Sequence, residues 1–274
     1  MQSSHIPPIA VLAAMPTEMV HLTRLIERAR VPRDVPDTHG PRVFERATLG
    51  DAPLVLLTAG VGMVAAAAGT EAVIERYGPR AVLNFGCAGA HREDILPGDV
   101  IVGTGCIAFD HGFLPPGGPF AAEPARLFVD GAQVRLDMLP VSEPLLAVAE
   151  MTAALGAPVE PWPRESWPMG VAYRNPRVFF GPVASSDRFT QDPDALRALH
   201  ARHASLCEDM EAAAIAQVCA LHRVPFFTVK DVSNTEFFAT TDNESFEAIT
   251  DEVGKRAAAF LFAMLRQVAG STSH

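Results

Sequence analysis

Short apolar runs closed by Gly, Pro or polar residues recur along the chain: IAVLAAM (9–15), PLVLLTAG (53–60), AVLNFGCAG (81–89), DVIVGTGCIAF (99–109) and VPFFTVKDV (224–232). Their shortness and their β-branched content suit strands of a sheet that is largely buried on both faces. Between them, apolar positions recur at helical spacing over 17–30, 62–77, 193–203, 209–221 and 244–267. Strand and helix patterns that alternate in this way predict an α/β domain with helices on both faces of the sheet.

Residues 110–180 break the rhythm. DHGFLPPGGPFAAEP and EPWPRESWPMG are too rich in Pro and Gly for regular elements, and one helix, about 142–155, is expected between them. Irregular stretches of this length inside a compact domain are functional loops or an interface more often than bland linkers. The expectation is therefore a single domain over 1–274 with a divergent Pro-rich insertion at about 110–180.

Composition narrows the partners. With Lys+Arg 22 against Asp+Glu 32, the net charge of -10 offers no general attraction to phosphate backbones or anionic membranes, so neither nucleic acid nor membrane is expected as a partner. Cys87, Cys106, Cys207 and Cys219 show no CxxC spacing and read as reduced thiols. No run reaches the roughly 18 to 20 apolar residues of a membrane span, and a cytoplasmic location is expected.

The candidate chemistry gathers at strand ends. Gly60-Val61-Gly62 and Gly86-Cys87-Ala88-Gly89-Ala90 follow two apolar runs, where glycines admit a ligand close to the backbone and where open α/β sheets bind ligands. Neither is a GxGxxG or a Walker sequence, so no nucleotide cofactor is expected. Glu18 falls in the first turn of a helix opened by Pro16, where an acid also serves simply to complement the helix dipole. Glu211 heads an AxxIAxxCA face, and a carboxylate there requires a partner, either a ligand hydroxyl or a helix N-terminal amide. Asp110-His111 has no further ligands at metal-binding spacing, and no metal is expected. Trp162 and Trp167, framed by prolines, fit a pocket wall, a subunit interface or the core equally well.

Taken in order, IAVLAAMPTEM, LTAGVGMVAAAAGTEAVI, AVLNFGCAGAHREDILPGDVIVG, SSDRF, CEDMEAAAIAQVCALHRVPFFTVKDVSNT and SFEAI resemble the signature segments of the nucleoside phosphorylase and nucleosidase superfamily. Within it, they are similar to the methylthioadenosine/S-adenosylhomocysteine nucleosidases. The likeness covers about 9–108 and 178–267. It implies a central twisted mixed sheet flanked by helices, a homodimer, and cleavage of an N-glycosidic bond through an oxocarbenium-like ribosyl state. It implies that Glu18 activates water, Glu211 holds the ribose hydroxyls, Met210 packs on the sugar, Phe189 stacks on the base and Phe246 closes over the 5' side. It also places Met15, Val61, Cys87, Ala88, Gly89, Thr190 and Lys230 around the substrate.

One position departs from the family. Adenine-cleaving nucleosidases end the strand corresponding to VPFFTVKDV in Ser-Asp, and that aspartate supplies a proton to the base, whereas this chain has Ser233-Asn234. An amide donates and accepts hydrogen bonds but gives up no proton at neutral pH. Asn234 fits recognition of a 6-oxopurine, a role in which the trimeric purine phosphorylases place an Asn. The alternatives are another acid, Asp187 or Asp231, or a chain that mostly binds. The arginines that hold phosphate in related phosphorylases have no counterpart: Asn84 stands in the strand segment and AAMPTEM has none. Water is therefore the expected acceptor, with Lys230, His91, Arg92 and Arg188 left as anion contacts for a phosphorylase. The expected function is a purine nucleosidase acting on a 6-oxopurine or a 5'-modified nucleoside, futalosine-type substrates among them. Its alternatives are a phosphorylase and a nucleoside-sensing protein on the same fold.

Overall fold

A computed structural model describes residues 6–118, 120–239 and 249–270. Its strands are β1 (Ile9–Ala13), β2 (Asp37–His39), β3 (Arg42–Leu49), β4 (Ala52–Thr58), β5 (Ala81–Ala90), β6 (Val100–Ala108), β7 (Gly112–Phe113), β8 (Ala121–Ala122), β9 (Ala125–Val129), β10 (Ala132–Leu136), β11 (Leu139–Pro140), β12 (Val178–Ser185), β13 (Cys207–Asp209) and β14 (Phe226–Asn234). Its helices are α1 (Pro16–Arg28), α2 (Met63–Tyr77), α3 (Glu143–Ala154), α4 (Pro193–His203), α5 (Ala212–His222) and α6 (Lys255–Gly270).

Ten strands form one mixed sheet in the order β11-β6-β12-β13-β5-β1-β4-β3-β2, with β14 bonded to both β5 and β6. The β1, β4, β5 and β14 pairings are parallel, while β13 meets β5, and β14 meets β6, antiparallel. Strands β5, β14, β6, β12 and β13 therefore bond in a closed ring, and β1, β4, β3 and β2 extend from it as an open wing. The fold class read from the sequence, an α/β domain with helices on both faces of a mixed sheet, is the fold observed.

Two buried layers explain this choice. Leu12, Val82 and Ile101 face α2 and α5, whereas Val11, Leu83 and Phe227 face α1, α3 and α6. Consecutive strand residues point to opposite faces, so a run apolar at every position belongs in the middle of a sandwich. Helix α5 lies almost wholly inside, with Ala212, Ala213, Ile215, Ala216 and Cys219 buried. Its alanines let it pack closely on α2 and on the sheet.

The structure departs from the sequence pattern in four places. The helix expected over 209–221 begins at Ala212, because Cys207–Asp209 is pulled into the sheet as β13. The helix expected from 244 begins at Lys255, after Gly254 at φ +76°, and residues 244–248 lie outside the described ones. Strands β2, β3 and β12 carry charges or a Gly-Pro pair that hide them: the β12 register shifts between Gly181 and Val183, around Pro182. The Pro-rich region holds more regular structure than expected, with the hairpins β7–β8 and β9–β10 besides α3.

Trp162 and Trp167 belong to a small core with Leu96, Val171 and Tyr173. Trp162 lies under the Arg256 guanidinium at 4.8 Å. All four cysteines are free thiols. Among the described residues no helix is long and apolar enough to cross a membrane.

Candidate active site

The carboxyl ends of β1, β4, β5 and β14 open on a cavity of about 280 Å³ lined by Ala14, Met15, Glu18, Val61, Cys87, Ala88, Gly89, Arg188, Phe189, Glu208, Asp209, Met210, Glu211, Ser233 and Asn234. Segments more than 200 residues apart in sequence meet there, because parallel strands deliver their carboxyl ends to the same edge.

Glu18 is fixed by the backbone. It is the third residue of α1, and its Oε2 accepts from the amides of Ala14 (3.0 Å) and Met15 (2.9 Å) while Oε1 accepts from Cys87 (2.9 Å). The Met15 contact ties the helix N-terminus to its own first turn, half of a capping box. The Cys87 contact ties that turn to the end of β5. With about two acceptor directions on each oxygen, Oε2 is filled by backbone amides, while Oε1 takes one amide and the Cys87 thiol also interacts with the carboxylate.

Glu211 precedes α5, and its Oε1 accepts from the Gly62 amide at 2.9 Å. Gly62 itself sits at φ +97°, a backbone state that a side chain would strain. Burial, reinforced by the neighbouring Asp209, pushes the Glu211 carboxyl up from 4.5 to about 7.

Beneath these acids lies a buried ion pair. Lys230 Nζ is 2.6 Å from Asp209 Oδ2, both side chains about 1% exposed. Asp209 also accepts from the Ala212 amide and from Ser185 Oγ, which in turn accepts from the Ala213 amide. Burial disfavours the Lys230 ammonium, but Asp209, Glu211 and Glu18 together hold its pKa above the ordinary lysine value. Burial and the nearby Glu18 push the Cys87 thiol up, so it lines the cavity as a neutral group.

The Asn234 amide is held from both ends. Its Nδ2 donates to Glu236 Oε1 at 3.1 Å and its Oδ1 accepts from Ser233 Oγ at 2.9 Å. One N–H and one lone pair remain. Phe189 is 57% exposed, a ring at the mouth of the cavity.

Of the residues singled out in the sequence, Glu18, Met15, Val61, Cys87, Ala88, Gly89, Phe189, Met210, Glu211 and Asn234 meet at this cavity. Thr190 and Lys230 are absent from its lining. The Thr190 amide is bonded to Glu208 Oε1 at 2.7 Å, and Lys230 is turned to Asp209. Phe246 lies outside the described residues.

The alternative acids fare differently. Asp231 is fully buried and caps α6 by accepting from the amides of Gly254 (2.8 Å) and Arg256 (2.9 Å). Asp187 accepts from the Met63 amide at the start of α2. Neither lines the cavity. Asn84 is buried in the sheet between the Leu12 carbonyl and the Thr228 hydroxyl. Arg92 is paired with Asp94 and His91 is buried against Ser205, so of the four anion contacts considered Arg188 alone reaches the lining.

Glu208 and Asp209 were not recognised in the sequence. The signal was three acids within CEDME, but a three-residue strand leaves no periodicity from which to read which acid faces the cavity. Glu71, Glu75 and His222 bring possible metal-ligating atoms within 4.8 Å of one another, at partly or fully exposed positions that take no part in the cavity, and Glu71 and His222 are already paired at 2.8 Å.

A family model described as the phosphorylase superfamily matches residues 8–266. The 5'-methylthioadenosine/S-adenosylhomocysteine nucleosidase of Bacillus thuringiensis (strain Al Hakam) is 28% identical over 273 residues, covering 95% of this chain and 99% of that protein. Among solved structures, futalosine hydrolase of Helicobacter pylori strain 26695 superposes with a TM-score of 0.75 at 21% identity, over 96% of this chain and 98% of that one. An S-adenosylhomocysteine nucleosidase from Streptococcus pyogenes in complex with 5-methylthiotubericidin does so at 0.73 and 22% identity, over 97% and 99%.

Proposed function

This chain belongs to the phosphorylase superfamily, and from that membership we propose that it is a purine nucleosidase, cleaving the N-glycosidic bond with water as acceptor. The observation that carries this reading is the convergence of Glu18 and Glu211 on one cavity, each held by backbone amides. In the proposed reaction the C1'–N9 bond lengthens first and the ribosyl group gains positive charge, which two adjacent carboxyl groups favour. Water then adds to C1' and passes a proton to the Glu18 carboxylate. Glu211 takes the ribose hydroxyls, Met210 packs on the sugar and Phe189 stacks on the base. The bonding electrons leave with the base. Asn234 donates no proton, but its free N–H stabilises negative charge developing at N7 or O6, and solvent protonates the departed base.

The same amide supports a 6-oxopurine over adenine as the base. The relatives named for 5'-methylthioadenosine and futalosine support a substrate with a 5' group larger than hydroxyl. Water is favoured over phosphate because Glu18 is surrounded by backbone amides, and Asn84 stands where related phosphorylases carry an arginine. A homodimer in the cytoplasm completes the reading.

The test is chromatographic: inosine-type and adenosine-type nucleosides, including 5'-thioethers, are incubated with and without phosphate. Free base and free sugar in phosphate-free buffer are expected. Strict phosphate dependence with a sugar 1-phosphate formed would make the chain a phosphorylase. Tight nucleoside binding with no base release under either condition would make it a sensor.

A further inference from the structure

The base end of the cavity holds an acid that the reaction above does not use. Glu208 lines the cavity beside Phe189 and Asn234, yet it is only 4% exposed. A carboxylate so placed needs partners, and it has two: the Thr190 amide at 2.7 Å on Oε1 and His91 Nε2 at 3.4 Å from Oε2. Since a carboxylate offers about four acceptor directions, capacity remains on the cavity side.

Its position in the sheet is equally informative. Glu208 on β13 and Asn234 on β14 both pair with Gly89 of β5, one from each side, the β14 register having shifted at Ser233 to bring Asn234 there. Residues in register across neighbouring strands project to the same face. At a strand spacing of about 4.8 Å, the two Cα atoms lie about 10 Å apart across Gly89, a gap that a purine can bridge edge-on between two side chains. Gly89 supplies no side chain to fill it, and a Cβ there would sit 3.3 Å from Asn234 Nδ2.

We infer that Glu208 is the residue that selects a 6-oxopurine, accepting a hydrogen bond from its N1–H while Asn234 donates to its O6 or N7. The inference rests on the nucleosidase reading and deepens it. A 6-oxopurine presents a donor at N1 next to an acceptor at O6, matching an acceptor-only carboxylate and an amide N–H. Adenine presents a lone pair at N1, which faces the carboxylate without a proton between them. The Thr190 amide beside Phe189 is already taken by Glu208 and offers adenine no donor.

The experiment compares the parent with Glu208→Gln, measuring kcat/KM for a 6-oxo and a 6-amino nucleoside that share one 5' group. The glutamine still accepts from Thr190 and gains an N–H that suits an N1 lone pair. The parent is expected to prefer the 6-oxo substrate, and the 6-oxo to 6-amino ratio should fall by roughly 100-fold in the variant. Two results overturn the inference: an equal loss on both substrates with the ratio unchanged, which would make Glu208 a support for the 188–190 segment, or a parent that prefers the 6-amino substrate.

A second measurement needs no variant: binding of free hypoxanthine and free adenine to the parent, with hypoxanthine expected at least about tenfold tighter. Equal or reversed affinity also overturns it. If the parent releases no base from any nucleoside, the nucleosidase reading falls, and binding of the two free bases to the parent and to Glu208→Gln still decides what Glu208 reads.

Discussion

Glu18 Oε1 lies 2.6 Å from the point where a Cβ on Gly86 would stand. The carboxylate is locked against the bare backbone of β5 by the amides of Ala14, Met15 and Cys87, so it cannot yield without breaking those bonds. Gly86→Ala is expected to leave the fold intact and to lower kcat by about 10²- to 10⁴-fold, the range for loss of a positioned base. Circular dichroism and steady-state rates check this together, and a variant with parental kcat would separate Glu18 from the chemistry.

Glu18→Gln tests the same residue from the other side. Its backbone partners are three N–H donors, and the Cys87 thiol also interacts with it, so a glutamine must turn its NH2 toward at least one of the amides. Catalysis should fall by about 10²- to 10⁴-fold, and a mismatched buried donor pair should also cost about 1–3 kcal/mol of stability in urea denaturation. A fall in rate without any loss of stability would mean that the three amide contacts are not retained in solution.

The raised Glu211 carboxyl predicts a pH dependence of stability. Between 4.5, its ordinary value, and about 7, the folded protein keeps a proton that the unfolded chain has released. The Glu211 contribution is therefore fully present below 4.5 and lost as pH rises to 7. Glu211→Gln cannot ionise, so its stability relative to the parent should rise across that window by up to about 3 kcal/mol. Denaturation at pH 4.5 and pH 8 measures the difference, and a constant offset would contradict it. Ribose hydroxyls donate best to the ionised form, so KM should rise below about pH 7.

Lys230 was expected at the substrate and stands instead against Asp209. Lys230→Met leaves a buried carboxylate without its partner, and a loss of about 3–5 kcal/mol of stability is expected. Lys230 also helps keep the Glu211 carboxyl ionised, so where the variant remains folded KM should rise near neutral pH and recover as the pH is raised. A rise in KM that persists unchanged at high pH would return Lys230 to the substrate.

Two apolar runs illustrate how much of the fold was legible. AVLNFGCAG is interrupted by a polar side chain only at Asn84 and VPFFTVKDV opens on an apolar stretch broken only at Thr228, Lys230 and Asp231, and runs of this kind sit in a sheet covered on both sides, so β5 and β14 were readable with the helices between them. β3 was missed because RVFERATL breaks its apolar residues with Arg42, Glu45 and Arg46, so it shows neither a continuous apolar run nor a clean two-residue alternation. The α6 start was missed because apolar spacing continues upstream, while the first turn is set by Gly254 at φ +76° and by Asp231 from another strand.

The site divides in the same way. Local sequence determined that Glu18 opens a helix after a strand, that Glu211 heads an apolar one, and that an amide stands at 234 where related enzymes carry an acid. These are matters of neighbours along the chain, whose chemistry is fixed by spacing. Only the tertiary structure decided that Lys230 turns to Asp209, that Asp231 caps a helix, and that Glu208 and Asn234 flank the same glycine from two strands. A buried charge takes whichever partner the packed sheet brings within about 3 Å, and that partner comes from strand order and register, which no local pattern of residues encodes.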